Sequence, residues 1–220
     1  MDCITDPLLR GLIDRLQAQS QAQVPEINQY FGGRYEAKDL NWEGLDEEAH
    51  QFFADKLVAL DDDKACFCHL MCRALGARRI VEVGTSHGVS TLYLADAVRA
   101  NGGGVVIATE YESDKAARAQ QHFKEGAVDG LIDLRYGDLR ETLIDLEGPI
   151  DFVLMDIWTE MAVPAITLIA PHLRTGAVII ADNTTDFAGA YRGYFDFILN
   201  NGFATQTLPF SGGLEVTVKL

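Results

Sequence analysis

Three side chains with oxygen donors follow two neighbouring apolar segments in the second half of the chain. Asp156 comes directly after residues 152–155, and Asp182 and Asn183 come directly after residues 178–181. If both segments are strands of a parallel sheet, their carboxyl ends meet at one edge and the three side chains converge. Oxygen donors without Cys or His favour Mg²⁺, with Ca²⁺ or Mn²⁺ as alternatives. Such an ion would lower the pKa of a bound hydroxyl, whereas the alternative interpretation is that the acids only cap loops.

A glycine-containing turn follows an earlier apolar segment at residues 79–83. Gly84 and Gly88 permit a tight turn and a close approach of the backbone, and the next helix offers free amide donors at its N-terminus. Those donors fit the carboxylate of a methionine moiety as well as a phosphate, and Ser90 can add a hydroxyl. The dinucleotide fingerprint G-x-G-x-x-G is absent, because position 86 is serine. A turn with a purely structural role is the alternative.

Two further acids follow the next two apolar segments, at residues 105–109 and 132–136. Glu110 can accept hydrogen bonds from both ribose hydroxyls of an adenosine, and Asp138 can accept one from the exocyclic amine of adenine. Glu110 could instead be a surface acid, and Asp138 could be the N-cap of the following helix. Because the glycine turn and the two acids come in order at successive strand ends, together they predict one adenosyl-binding cleft.

The elements that must position these residues alternate regularly after residue 60. Short segments rich in Val and Ile are separated by longer helical segments, which is typical of a parallel sheet covered on both faces. Strands are predicted at 79–83, 105–109, 132–136, 152–155, 178–181, 204–208 and 214–218, and helices at 88–100, 113–125, 140–146, 162–172 and 187–200. Only residues 209–213 separate the last two strands, too few for a parallel crossover. The predicted fold is therefore a Rossmann-like, doubly wound α/β sheet of five parallel strands plus a C-terminal antiparallel hairpin.

The first 60 residues differ from this pattern. Apolar residues at helical spacing predict a helix over 7–18, followed by a polar, irregular segment over 17–33 and a second helix over 47–60. We therefore predict an N-terminal helical extension at 1–60 and a cofactor-binding domain at 61–220. The nearby sequence ACFCHLMC contains three cysteines and a histidine, but positions 66 and 68 of a helix point in nearly opposite directions. A metal site is not expected there.

Composition and charge narrow the class of partner. Apolar residues make up 48% of the chain, enough to bury a sizeable core. The formal net charge of -15 disfavours a nucleic acid as substrate, because a phosphate backbone would be repelled. Neither a run of membrane-spanning length nor the features of a signal peptide are found, so we expect a cytoplasmic protein without a membrane segment.

Residues 79–220 resemble the catechol and caffeoyl-CoA O-methyltransferase group of class I S-adenosylmethionine (SAM)-dependent enzymes, especially its small bacterial relatives. Four motifs carry the resemblance in order: EVGTSHGVSTLYLA, ATEYESDKAARAQ, DFVLMDIW and ADN. The resemblance implies a SAM site, which we assign to Glu82, Gly84, Thr85, Ser86, Gly88, Ser90, Glu110, Asp138 and Asp156. It also implies a divalent metal at Asp156, Asp182 and Asn183, with Asp156 catalytic, and a homodimer whose N-terminal helices help to cover the active site.

One position departs from the catechol-type pattern. Those members carry a lysine three residues beyond the first metal aspartate, where it serves as the base, whereas this chain has Thr159. Threonine at its ordinary pKa cannot replace a lysine base. The substitution weakens the case for a catechol acceptor and, to a lesser degree, the case for metal dependence.

The sequence thus predicts a SAM-dependent O-methyltransferase that acts on a hydroxyl of a small molecule with help from a divalent metal. An aromatic acceptor would suit a pocket walled by Trp158, Tyr191, Tyr194 and Phe195, although such residues are more often core. His87, inside the glycine turn, is expected to be structural. The alternatives are a metal-independent methyltransferase of altered acceptor chemistry, a non-catalytic nucleoside-binding module, and a nicotinamide-dependent dehydrogenase, which the missing fingerprint and the terminal hairpin disfavour.

Overall fold

A twisted sheet of seven strands forms the framework of the computed structural model, which describes residues 3–36 and 47–220. The strands are β1 (Arg79–Val83), β2 (Val105–Glu110), β3 (Ile132–Tyr136), β4 (Ile150–Met155), β5 (Leu173–Asp182), β6 (Phe203–Leu208) and β7 (Leu214–Lys219). They lie in the order β3-β2-β1-β4-β5-β7-β6. The first five are parallel, and β7 runs antiparallel to both β5 and β6. The predicted fold class is confirmed, including the C-terminal hairpin.

Helices cover both faces of this sheet. They are α1 (Pro7–Glu36), α2 (Glu47–Phe53), α3 (Asp62–Leu75), α4 (Val89–Ala100), α5 (Ser113–Glu125), α6 (Leu139–Thr142), α7 (Ala162–Ile169) and α8 (Arg192–Asn200). Single 3₁₀ turns lie at Asp129–Leu131, Thr159–Met161 and Ala170–His172. Helices α1, α3, α4 and α5 contribute to one hydrophobic core, and α6, α7 and α8 contribute to the other.

The two cores follow from the alternation of side chains along the inner strands. Ile80 and Phe152 face the core beneath α3 and α4, whereas their neighbours Val81 and Val153 face the core beneath α7 and α8. A strand buried on both faces needs apolar residues at consecutive positions, which explains the near-continuous Val and Ile runs. Because β1 lies between β2 and β4, the chain reverses its direction of winding there, and the carboxyl ends of these strands form the crevice where ligands bind in such sheets.

The N-terminal segment differs from the prediction. Residues 17–33, predicted to be irregular, belong to the 30-residue helix α1. Their polar character reflects exposure, since Gln and Glu are good helix formers and α1 buries one apolar stripe that includes Leu9, Ile13 and Leu16. The parts of the predicted extension at residues 1–2 and 37–46 lie outside the described residues.

The second predicted helix, 47–60, ends at Phe53 instead. Beyond it the chain runs along α1, where the backbone N–H of Leu57 donates to Gln23 at 3.0 Å and that of Ala59 donates to Ser20 at 3.2 Å. These side chains replace the carbonyl groups that a continued helix would supply, so the segment needs no helical conformation. In the described part of the chain, every helix is too short or too polar to cross a membrane.

Candidate active site

A cavity of about 480 Å³ opens at the carboxyl ends of the parallel strands. Its size falls within the range of small-molecule sites, roughly 300–1,000 Å³. Residues from both halves of the predicted site line it: Gly84, Ser86, Glu110, Asp138, Asp156, Asp182 and Asn183. The structure therefore brings these seven of the predicted residues to one continuous cavity.

The glycine turn after β1 requires glycine at two positions. Gly84 has φ of +93°, and a Cβ atom there would collide with the backbone carbonyl of Asp156. Gly88 has φ of +84°, and a Cβ atom there would collide with the ring of Phe123. Gly88 immediately precedes α4, so the turn delivers the free amides of that helix to the strand edge. The turn therefore packs closely against the backbone that follows β4, and its predicted close approach to a ligand stays a prediction.

Glu82 lies beneath the turn and supports it. Its carboxylate accepts hydrogen bonds from the hydroxyls of Thr85 at 2.9 Å and Thr91 at 2.5 Å, and its side chain is completely buried. Burial raises the pKa of Glu82 above its ordinary value, and the hydroxyl donors oppose that shift. Glu82 is not among the described residues that line the main cavity. The contact with ligand predicted for it would need a ligand atom to reach below the turn.

Thr85 and Ser90 also lie outside the main cavity. They line a much smaller space of about 10 Å³, together with Ser86 and residues 57–60. Residues 57–60 therefore cover the glycine turn, and a ligand bound at Thr85 or Ser90 would contact them.

Glu110, at the end of β2, is tied to the glycine turn by its carboxylate. One oxygen accepts the backbone N–H of Ser86 at 2.6 Å, and the other accepts that of Glu112 at 2.8 Å. Burial raises the pKa of Glu110, while these amides and the charge of Lys115 favour the ionised form. Each carboxylate oxygen retains a further lone pair, so the group can still accept hydroxyl donors from the cavity.

Asp138, after β3, both lines the cavity and caps α6. Its side chain accepts the backbone N–H of Arg140 at 2.9 Å and forms an ion pair with the Arg140 guanidinium at 2.5 Å. Hydrogen bonds from Arg140 hold the pKa of Asp138 below its ordinary value. The N-cap interpretation is therefore correct, and it coexists with a position on the cavity wall.

Asp156 and Asp182 lie side by side, because Met155 and Ala181 are paired in the register of β4 and β5. Both acids line the cavity, with Asn183 next to them. Burial raises the pKa of Asp156 well above its ordinary value, and the charges of Asp182 and Glu82 raise it further. The convergence of three oxygen-bearing side chains predicted from the sequence is present.

Lys64, from α3, is a charged residue at this edge that sequence reasoning missed. Its Nζ lies 2.7 Å from Oδ1 of Asp182, and the amide nitrogen of Asn183 donates to the other Asp182 oxygen at 3.0 Å. A signal existed in the sequence, since Lys64 falls at i, i+4, i+8 spacing with Cys68 and Cys72, both buried. A lysine on the buried face of a helix needs a partner, which the acidic strand ends provide.

The donor set in this arrangement does not fit a divalent metal. Both oxygens of Asp182 are already engaged, one by an ammonium group and one by an amide N–H. Within residues 3–36 and 47–220, no group of three or more His, Cys, Asp and Glu side chains could hold an ion. A divalent ion would have to displace Lys64 first, so metal assistance stays a prediction from the resemblance.

Aromatic side chains form the outer wall of the cavity. Trp158 and Tyr191 line it as predicted, whereas Tyr194 is fully buried in the core beneath α7 and α8, and Phe195 packs against that core. The sequence did not single out Tyr30, Phe31 and Phe53, which line the wall from α1 and α2. Phe53 packs edge-on against Trp158, with ring centroids 5.4 Å apart. Paired aromatics in otherwise polar stretches, at 30–31 and 52–53, were the available signal.

Two other positions behave as the sequence indicated. Thr159 lies on the cavity wall, so no lysine is supplied at that point of the site. His87 is buried, its backbone carbonyl accepts a hydrogen bond from the ring of His122 at 2.8 Å, and burial lowers the pKa of His87 to about 4. A neutral, buried imidazole inside the turn fits a structural role.

Comparison with known proteins adds independent findings. Residues 81–184 match the model of a methyltransferase domain family. The chain is 33% identical to a catechol O-methyltransferase of Mycobacterium tuberculosis over 127 residues, which cover 57% of each protein. The chain spans somewhat more than half the length of the curated relatives that it matches.

Solved structures of other proteins share the fold of this chain. A cofactor-bound protein from MTB is 26% identical, with a TM-score of 0.69 over 78% of this chain and 86% of that one. The O-methyltransferase from Bacillus cereus in complex with SAH is 22% identical, with a TM-score of 0.67 over 74% of this chain and 83% of that one. The resemblance read from the motifs is confirmed: residues 81–184 match a methyltransferase domain family, and the chain is similar to catechol O-methyltransferases in sequence and to solved O-methyltransferases in fold.

Proposed function

We propose that the chain is a SAM-dependent O-methyltransferase that acts on a hydroxyl of a small molecule. The observation that carries the proposal is the single cavity in which the glycine turn, Glu110 and Asp138 adjoin the acids at positions 156 and 182. The relative named catechol O-methyltransferase and the neighbour bound to SAH support the same activity.

The end of the cavity near the glycine turn, Glu110 and Asp138 is the proposed cofactor end, because these residues can bind the parts of SAM. Glu110 accepts hydrogen bonds from the ribose hydroxyls, and Asp138 accepts one from the exocyclic amine of adenine. The turn at Gly84, Thr85, Ser86 and Gly88, with the N-terminal amides of α4 and the hydroxyl of Ser90, receives the methionine carboxylate. Glu82 acts from below by holding the turn through Thr85 and Thr91.

The reaction needs orientation more than it needs strong acid–base groups. SAM, when bound, supplies an electrophilic methyl group on a sulfonium. The acceptor oxygen would bond to the methyl carbon while the carbon–sulfur bond breaks and leaves its electron pair on the sulfur of SAH, and the hydroxyl proton would pass to the Asp156 carboxylate. Asp156 lines the cavity beside the turn, so its carboxylate accepts a hydrogen bond from the acceptor hydroxyl and fixes its direction. Asp156 is therefore the proposed catalytic residue.

The acceptor end favours a flat, apolar molecule that carries a hydroxyl. Tyr30, Phe53, Trp158 and Tyr191 form its wall, and aromatic faces bind such molecules by area and by ring stacking. Thr159 stands where catechol-type members have their lysine, so the acceptor need not be a catechol. The net charge of -15 supports a small molecule over a nucleic acid.

A second candidate is methyl transfer to an altered acceptor without a divalent ion. The position of the Lys64 ammonium on Asp182 favours it specifically. The resemblance supports a metal-assisted version instead, in which Asp156, Asp182 and Asn183 would hold a divalent ion, most simply Mg²⁺. That version would require Lys64 to leave Asp182.

A homodimer, a cytoplasmic location and a division into a covering extension at 1–60 and a catalytic domain at 61–220 belong to the same proposal. They are supported by the resemblance and by the aromatic residues that α1 and α2 contribute to the cavity wall. Light scattering of the purified chain tests the dimer, which predicts twice the mass of one chain.

The activity is tested by incubating the chain with SAM and a panel of small phenols, alcohols and amines. Methylated product, detected by mass spectrometry together with SAH, is expected for at least one hydroxyl acceptor. Runs with excess EDTA separate the two versions, because only the metal-assisted one loses its rate. SAM that stays intact with every acceptor, or transfer only to the amines, would contradict the proposed O-methylation.

A further inference from the structure

Lys64 is buried at the acidic edge of the sheet, with only 2% of its surface exposed. Its ammonium nitrogen lies 2.7 Å from Asp182 and 3.6 Å from Asp61. Burial opposes the charge on this amine, yet the hydrogen bond and charge of Asp182 outweigh it, and the pKa of Lys64 is raised above its ordinary value. Because its ammonium group lies against two carboxylates, Lys64 is a positive charge fixed at this edge of the sheet.

The Lys64 ammonium lies where a cation is expected, next to two neighbouring carboxylates. Asp156 directly follows β4, and Asp182 is the last residue of β5. The pairing of Met155 with Ala181 brings the two acids side by side, where their negative charges repel one another. Two neighbouring buried carboxylates need a compensating cation. The ammonium supplies it through direct contact with Asp182 and through its charge at Asp156.

Lys64 and a divalent ion exclude each other at this edge. The ion would need an oxygen of Asp182 that the ammonium already holds, and two cations in contact with the same carboxylate repel strongly in a buried site. The remaining oxygen of Asp182 accepts the amide N–H of Asn183, so it offers no undisturbed alternative.

We propose that Lys64 is a built-in cation that takes the place of a divalent metal at Asp156, Asp182 and Asn183. It acts as a positioning residue: it holds Asp182 in place, which leaves Asp156 facing the cavity and the acceptor. This inference deepens the proposed function and rests on it for the catalytic consequence only, because the cation arrangement itself can be measured without turnover.

Manganese binding, followed by the electron paramagnetic resonance signal of free Mn²⁺, tests the inference. The wild-type chain is compared with Lys64→Met, which removes the ammonium but keeps an unbranched side chain as long as the aliphatic part of lysine. Lys56→Met is the matched control, since Lys56 is also largely buried and paired, with Glu26 and Asp55, away from the cavity. A double variant, Lys64→Met with Asp182→Asn, checks where the ion binds.

The expected result is a gain of binding on removal of the lysine. Lys64→Met should bind one Mn²⁺ at least about tenfold more tightly than the wild type and Lys56→Met, within the usual range of coupling between sites. The double variant should lose that gain. The inference is overturned if a folded Lys64→Met binds Mn²⁺ no more tightly than the wild type.

A second measurement serves if Lys64→Met does not fold. In wild-type chain with ¹⁵N-labelled lysine, the Lys64 ammonium resonance should stay unchanged as Mg²⁺ is added. A saturable shift of that resonance with Mg²⁺, abolished by Asp182→Asn, would overturn the inference. Absence of methyl transfer alongside the predicted Mn²⁺ results would refute the proposed function and leave the cation arrangement standing.

Discussion

The two ends of the cavity are built in different ways. The proposed cofactor end consists of the glycine turn and of two acids at or just beyond the ends of β2 and β3. One of these acids, Glu110, is held by the backbone N–H groups of Ser86 and Glu112. The acceptor end depends on side chains from distant elements, with Lys64 118 positions before its partner Asp182. One end is set by local backbone geometry and the other by tertiary contacts, so substitutions at the two should have different consequences.

The largest effect is expected at the acceptor end, from Asp182→Ala. This change leaves the Lys64 ammonium buried and without its main partner, which costs about 3–5 kcal/mol of unfolding free energy for a buried pair. The measurement is urea denaturation followed by circular dichroism. Asp133→Ala is the control, because the Asp133–Arg135 pair is partly exposed and should contribute no more than about 1 kcal/mol. Equal losses in both variants would show that the Lys64 pair is no more important than a surface pair.

At the cofactor end, Gly84→Ala should lower both the affinity for SAH and the stability of the fold. Both Gly84 and Gly102 have positive φ, but a Cβ atom at 102 meets open space whereas one at 84 collides with backbone. Gly102→Ala should lose about 1–2 kcal/mol of stability from the strained φ alone. Gly84→Ala should lose more than that and weaken SAH binding by at least about tenfold, because the turn must shift. Unaltered SAH affinity in Gly84→Ala would indicate that the turn does not approach the cofactor.

A substitution in the aromatic wall should weaken binding of the acceptor and leave the affinity for the cofactor unchanged. Trp158→Ala removes a ring that lines the cavity and packs on Phe53, so the KM for an aromatic acceptor should rise about 3–10-fold, as expected for one lost aromatic contact. SAH affinity should stay within about twofold of the wild-type value. Tyr136→Ala, which removes an exposed ring at the end of β3, should change neither quantity. A parallel loss of SAH affinity in Trp158→Ala would erase the distinction between the two ends.

The smallest effect concerns pH and the turn itself. Burial lowers the pKa of His87 to about 4 from an ordinary value of 6.5, so the unfolded chain binds the proton first as pH falls. This group therefore costs stability below about pH 6.5, by no more than about 1 kcal/mol between pH 7.5 and pH 6. His87→Gln should show a correspondingly flatter stability profile than the wild type over that interval. Superimposable profiles would mean that His87 titrates alike in both states.

Strand positions, the hairpin and the place of Gly84, Glu110 and Asp138 at the sheet edge could be predicted because each depends on short-range patterns. Val and Ile runs mark strands buried on both faces, and the residue after each strand must lie at the sheet edge. Glu82 shows where this reasoning stops: position alone did not reveal that its carboxylate points below the turn, toward Thr85 and Thr91. The direction of a side chain depends on the partners that tertiary packing supplies.

The acceptor end could not be predicted for the same physical reason. Lys64 follows an acidic run at 61–63, which suggests a solvated helix start, and only packing of α3 against the sheet brings its amine to Asp182. The length of α1 was missed because a polar helix with a narrow buried stripe resembles an irregular segment in sequence. That error also hid Tyr30 and Phe31, which reach the cavity only because α1 continues past residue 18.

Calorimetric titration with SAH tests the central claim most directly, with wild type, Glu110→Gln and Glu125→Gln compared under the same conditions. Glu110 lines the cavity, whereas Glu125 forms an exposed ion pair with Arg15. The wild type and Glu125→Gln should bind one SAH with equal affinity, and Glu110→Gln should bind about 10–100-fold more weakly, because a charge-assisted hydrogen bond is lost. No heat of binding in the wild type, or equal affinity in all three proteins, would contradict an adenosyl site at this edge of the sheet.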